Sequence, residues 1–73
     1  MPLKIFNLTH LKCPDTIVCF RKIMRKIHHE NIIIIISHDI STTWDIPLFC
    51  NFMNYKIIKQ KIRNKPYQFW IKK

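Results

Sequence analysis

The stretch Asn31-Ile32-Ile33-Ile34-Ile35-Ile36-Ser37-His38-Asp39 lies near the middle of the 73-residue chain and decides how the rest is read. Periodicity alone does not separate strand from helix in so short an apolar run. The β-branched side chain of isoleucine does, because its stiff χ1 packs well on a pleated surface and less well in a helix. A run with no polar alternation predicts a central strand, buried on both sides or nearly so. Ser37, His38 and Asp39 then form the turn that leaves it.

On the N-terminal side, His28-His29-Glu30-Asn31 interrupts a helical pattern over residues 14–27. Ile17, Phe20, Met24 and Ile27 recur at three- and four-residue steps and share one face. Arg21, Lys22, Arg25 and Lys26 occupy the other side, with Val18 among them and Cys19 near the boundary. Residues 3–8 read as a first strand. On the C-terminal side, Ser41, Thr42 and Thr43 supply helix caps and Asp45 suits a first turn. Pro47 is tolerated near a helix start, which puts the expected cap near Thr43. Ile46, Phe49 and Met53 form the expected core stripe, Cys50 lies beside it, and Leu48 and Phe52 lie toward the flank. Asn54 suits a left-handed helix stop. Residues 55–62 and 67–72 read as two strands joined by the turn Arg63-Asn64-Lys65-Pro66. The order is βαβαββ. It predicts an α/β chain of the α+β two-layer sandwich kind, a four-stranded mixed sheet with two helices on one face. Residues 1–73 are expected to form a single domain.

Composition limits the function classes. With 48% hydrophobic residues the chain is not a disordered tail. No segment approaches the roughly 20 apolar residues of a membrane span, and Met1-Pro2-Leu3-Lys4 lacks the build of a signal peptide. Three cysteines, an odd number, fit a reduced cytoplasmic protein better than a disulfide framework. A net charge of +9 ordinarily points to nucleic acid or an anionic membrane. Glycine and alanine are absent while isoleucine, lysine and asparagine abound, the pattern of an A/T-rich, reduced bacterial genome. Codon bias therefore accounts for part of the lysine excess. The basic residues are spread along the chain and match no RNA-binding signature, so a solvated basic surface stands beside the RNA-binding reading.

Chemistry concentrates at Leu11-Lys12-Cys13-Pro14-Asp15-Thr16. Proline suits the first helical position, which places Cys13 at the N-cap or just before it. The helix N-terminus and Lys12 then favour thiolate over thiol, with Asp15 opposing by its charge. Lys12 and Pro14 are thus the thiolate-supporting residues. Cys-Pro by itself leaves equally open a capping or buried cysteine without chemistry. Cys19 and Cys50, inside helical patterns, read as small apolar filler. The histidines and cysteines lack zinc-ligand spacing, and a glycine-free chain offers no evident oxyanion loop for a Cys/His hydrolase.

Phe6-Asn7-Leu8-Thr9-His10-Leu11-Lys12-Cys13-Pro14-Asp15-Thr16 resembles the opening pattern of the TusA/SirA family of small bacterial sulfur carriers, hydrophobic-Asp-x-x-Gly-Leu-x-Cys-Pro-x-Pro. Thr42-Thr43-Trp44-Asp45-Ile46-Pro47-Leu48-Phe49-Cys50-Asn51-Phe52-Met53 is similar to the family's second-helix region, and Pro66-Tyr67 before a basic-ended strand to its C-terminus. The resemblance covers about residues 6–73. Asn7, His10 and Thr16 depart from the family's acidic residue, glycine and second proline, and Thr16 removes a rigid element beside Cys13.

The resemblance implies a sulfurtransferase that acts as a carrier rather than a multi-step catalyst. Cys13 would accept persulfide sulfur from a cysteine desulfurase of the IscS type and relay it to a TusBCD-type complex, for 2-thiolation of the tRNA wobble uridine. It implies no resident cofactor beyond the transient persulfide, since PLP belongs to the donor. Contact with tRNA would be indirect, no membrane is involved, and the free chain is expected to be a monomer. Candidate partner contacts are Asp15, Val18 and Arg21 on the first helix, Asp39 after the central strand, and the apolar pair Phe52 and Met53. The alternatives are a paralogous carrier of sulfur or selenium, a non-catalytic remnant, and, in a different class, a small basic RNA-binding module without thiol chemistry.

Overall fold

The computed structural model describes residues 3–28 and 31–73. His29 and Glu30, part of the expected helix break, lie outside the described residues. The elements are β1 (Leu3–Asn7), α1 (Asp15–Lys26), β2 (Ile32–Ser37), α2 (Thr42–Met53), β3 (Lys56–Lys61) and β4 (Tyr67–Lys72). The strands form one sheet in the order β1-β2-β4-β3. β1 runs parallel to β2, while β4 runs antiparallel to both β2 and β3. This is the mixed α+β sheet that the βαβαββ order predicts, with β3 shorter at both ends than expected.

The isoleucine run is central, as its composition demands, but its burial is one-sided. Ile33, Ile35 and Ser37 are buried, whereas Ile32, Ile34 and Ile36 are half-buried. Side chains alternate across a strand, and the helices cover only one face. The uncovered face reads in rows across the sheet. Ile5, Ile34, Trp70 and Lys59 lie in register in one row; Leu3, Ile32, Lys72 and Lys56 form another; Asn7, Ile36, Gln68 and Lys61 form a third. Isoleucine served both faces, so its uniformity concealed the alternation.

On the covered side, Tyr67, Phe69 and Ile71 of β4 join Ile33 and Ile35 beneath the helices. α1 buries Thr16, Phe20 and Met24 at four-residue steps, followed by Ile27, while Ile17 is only half-buried. Arg25 and Lys26 stand in the last turn, where cations complement the helix dipole. The Lys73 ammonium closes that end by donating to the Ile27 carbonyl at 3.1 Å.

α2 departs further from expectation. It begins at Thr42 after an N-cap at Ser41, so Pro47 is its sixth residue rather than a first-turn one. The proline lacks the N–H that would reach the Thr43 carbonyl. The buried stripe is Thr42, Ile46 and Cys50. Phe49 is half-buried, and Met53, expected in the core, is exposed. Trp44, Leu48 and Phe52 line the outer side. A helix apolar on nearly every side gives periodicity little to choose between. Asn54 ends α2 in the left-handed conformation (φ 60°, ψ 30°), and the Tyr55 N–H reaches back to the Cys50 carbonyl at 2.8 Å. Phe49 makes edge-on contacts with Phe20 and Tyr55, at centroid separations of 5.7 and 6.0 Å, and so ties α2 to α1 and to the start of the hairpin. Among the described residues no helix is long and apolar enough to cross a membrane.

Candidate functional site

Because β1 and β2 are parallel, the loops that follow them leave from the same end of the sheet. The β3–β4 turn reaches that end too, since β4 opposes both β2 and β3. An open cleft forms where the three segments meet. The first loop contributes Thr9, Leu11, Lys12 and Cys13, the second His38, Asp39 and Ile40, and the turn Lys65.

Each segment is built by local hydrogen bonds. The Asn7 side-chain carbonyl accepts from the Thr9 N–H at 3.0 Å and from the Thr9 hydroxyl at 2.7 Å. An amide oxygen thus makes the kind of turn that a carboxylate also makes. Leu8 is buried and its N–H donates to the Ile36 carbonyl at 2.7 Å, anchoring the loop to β2. The Lys12 carbonyl then accepts from the Asp15 N–H at 2.7 Å and the Thr16 N–H at 3.2 Å. Pro14 is the N-cap and helix α1 begins at Asp15, one residue later than the sequence suggests. Cys13 therefore precedes the cap and is exposed, and its peptide bond to Pro14 is cis. The first amides of α1 are spoken for by Lys12 instead of being aimed at the sulfur.

In the second loop, the Ser37 hydroxyl accepts from the Asp39 N–H at 2.9 Å. Asp39 Oδ1 accepts from the Ser41 N–H at 3.0 Å and the Ser41 hydroxyl at 2.9 Å. The Asp39 carbonyl accepts from the Thr42 hydroxyl at 2.6 Å and the Thr42 N–H at 3.1 Å. The carboxylate thus shapes the entry to α2, where the helix dipole favours negative charge. Its Oδ2 is buried and has no hydrogen-bond partner among the described residues.

The three thiols differ in setting. Cys13 is exposed, Cys19 half-buried and Cys50 buried. Burial pushes the Cys50 thiol up from an ordinary 9.0 to about 12, so it stays protonated and inert.

Of the other residues singled out in the sequence, Lys12 and Asp39 share the cleft with Cys13. Asp15, Val18 and Arg21 are exposed on α1, with the Arg21 guanidinium 5.5 Å from the Phe49 ring centroid. Phe52 and Met53 are exposed in the last turn of α2 and do not line the cleft. They stand about 15 Å along the helix axis from Thr42 at 1.5 Å per residue. His38 and Lys65 were not singled out as site residues. His38 was within reach, since it adjoins Asp39. Lys65 was not, because only the antiparallel pairing of β4 with β2 brings the turn to this end.

The family model described as Sulfurtransferase TusA matches residues 4–73. The chain belongs to the TusA family. It is similar to the Sulfur carrier protein TusA of Buchnera aphidicola subsp. Baizongia pistaciae (strain Bp), with 38% identity over 69 residues, covering 94% of this chain and 87% of that protein. Family membership fits the exposed cysteine placed before a proline cap at the mouth of a cleft.

Proposed function

We propose that this TusA-family chain is a sulfur carrier whose cargo rides on Cys13 as a persulfide. The observation that supports this reading is the exposure of Cys13 at the cleft where three loops meet. The Cys13 thiolate attacks the outer sulfur of a persulfide on a cysteine desulfurase. A new S–S bond forms on Cys13, the donor's S–S bond breaks, and the donor cysteine leaves as a thiolate. An acceptor thiolate repeats the exchange on the Cys13 persulfide. No net oxidant is consumed, and the rate depends on thiolate fraction and access. Lys12, next to Cys13 in the chain, brings positive charge to the same cleft as the sulfur.

The donor is a cysteine desulfurase of the IscS type and the acceptor a TusBCD-type relay complex, serving 2-thiolation of the tRNA wobble uridine. The chain needs no resident cofactor for this exchange. Asp39, which lines the cleft, and the exposed Asp15, Val18 and Arg21 form the docking rim. Phe52 and Met53 give a separate apolar contact at the other end of α2.

Incubation with a cysteine desulfurase and free cysteine, followed by intact-mass measurement, tests the reading. One added sulfur is expected on the parent, Cys19→Ser and Cys50→Ser chains, and none on Cys13→Ser. Loading of Cys13→Ser to the parent's level would overturn it.

A further inference from the structure

Basic residues, read along the whole chain as spread out, concentrate in its C-terminal part. Of the 13 lysines and arginines, seven fall in residues 54–73 (Lys56, Lys59, Lys61, Arg63, Lys65, Lys72, Lys73), and none of the four acidic residues does. Four of these lysines, Lys56, Lys59, Lys61 and Lys72, occupy the uncovered face of the sheet. Trp70 stands in the middle, half-exposed, in register with Ile34 on one side and Lys59 on the other. The Lys59 and Lys61 ammonium groups lie 5.1 and 5.9 Å from its ring centroid.

We infer that this face binds a single-stranded segment of RNA. Bases have π-faces that stack on an indole, and the ammonium groups around it attract a phosphate backbone. The half-exposed Trp70 ring selects the partner's form, since it can stack only on a base that is free of its own stack. A duplex keeps its bases paired and stacked, whereas RNA loops and ends present unstacked ones. The charge complementarity is one-sided, since no acidic residue stands in the three cross-sheet rows of this face. Cys13 takes no part, so the inference does not depend on the sulfur-carrier reading.

Titration of a labelled unstructured RNA 12-mer, read by fluorescence anisotropy, is the test. The fluorescence of Trp70, isolated by Trp44→Phe, is the second readout. Neutralising four phosphates gives a salt slope of about −2.8, so affinity falls about 50-fold between roughly 50 and 200 mM salt. Lys59→Gln/Lys61→Gln is expected to halve that slope, while Lys22→Gln/Arg25→Gln on the outer face of α1 leaves it unchanged. Trp70 fluorescence is expected to be quenched at saturation, and Cys13→Ser to bind as the parent does. The inference is overturned by an unchanged Trp70 signal, by equal effects of the two double substitutions, or by binding to phosphatidylserine vesicles in place of RNA.

Discussion

Replacing Thr16 with valine should stabilise the protein. Thr16 lies in the first turn of α1, three residues past Cys13, and is fully buried. Its hydroxyl has no hydrogen-bond partner among the described residues. A buried, unsatisfied hydroxyl costs about 1–3 kcal/mol. Valine has nearly the same shape, fills the same space and has a similar helix propensity. The expected gain is about 1–2 kcal/mol. For a domain of 73 residues, each kcal/mol moves Tm by about 4–8 °C. Urea and thermal unfolding followed by far-UV circular dichroism measure it. Thr16→Ser is the companion variant. It keeps the hydroxyl, loses the methyl and is expected to destabilise by about 1 kcal/mol. If Thr16→Val lowers the urea midpoint, or leaves Tm unchanged, the hydroxyl has a partner after all. The Lys12 carbonyl, four residues back, is where such a bond would be sought. The result bears on the site, because Thr16 follows Cys13 by three residues and stands where the family pattern has its second proline. It fills core space there, and its N–H helps to hold Lys12.

Three further outcomes are expected. Asn54→Gly should hold or raise stability and Asn54→Ala should lower it by about 1 kcal/mol in urea unfolding, because the position is left-handed. Cys50 should resist iodoacetamide at pH 8 in the folded chain and react once the chain is unfolded. Because its folded pKa of about 12 lies above its ordinary 9.0, the unfolded chain releases the proton first. Stability is therefore full below pH 9 and falls above it by up to about 1.4 kcal/mol per pH unit, a slope that Cys50→Ala should abolish in unfolding measured across that range. Asp39→Ala should cost about 1–2 kcal/mol through the loss of its bonds to Ser41. Asp39→Asn, which retains an acceptor, should cost less in the same assay.

How much of this was legible from residue order depended on how sharply each residue type speaks. The isoleucine run, the three-and-four spacing of Phe20, Met24 and Ile27, and Asn54 as a stop led to the correct element order. The isoleucine run could not disclose that one sheet face is bare, because isoleucine suits both a covered and a half-covered position. In α2, where apolar residues surround the axis, the stripe predicted through Ile46 and Met53 turned out to run through Thr42, Ile46 and Cys50. The burial of Thr16 and Thr42 had no signal at all, since threonine is usually exposed. At the site, Cys13 and Asp39 meet because the parallel strands β1 and β2 deliver their following loops to the same end. Lys65 arrives there because β4 pairs antiparallel with β2, a long-range property that no local pattern encodes. Basic residues read as spread along the chain are in fact concentrated in residues 54–73, and strand alternation puts Lys56, Lys59, Lys61 and Lys72 on one face.

The two rims of the sheet are finished differently. The outer strand β3 carries Lys56, Lys59 and Lys61, and side chains of this kind discourage another chain from pairing along that border. At the opposite border, β1 exposes Leu3 and Ile5 with Lys4 between them. Solubility thus depends on repulsion along one border more than the other, and neutralising the lysines, by salt or by a bound polyanion, removes that guard. Growth of the protein into strand-paired assemblies would then be set by ionic conditions and not by folding stability.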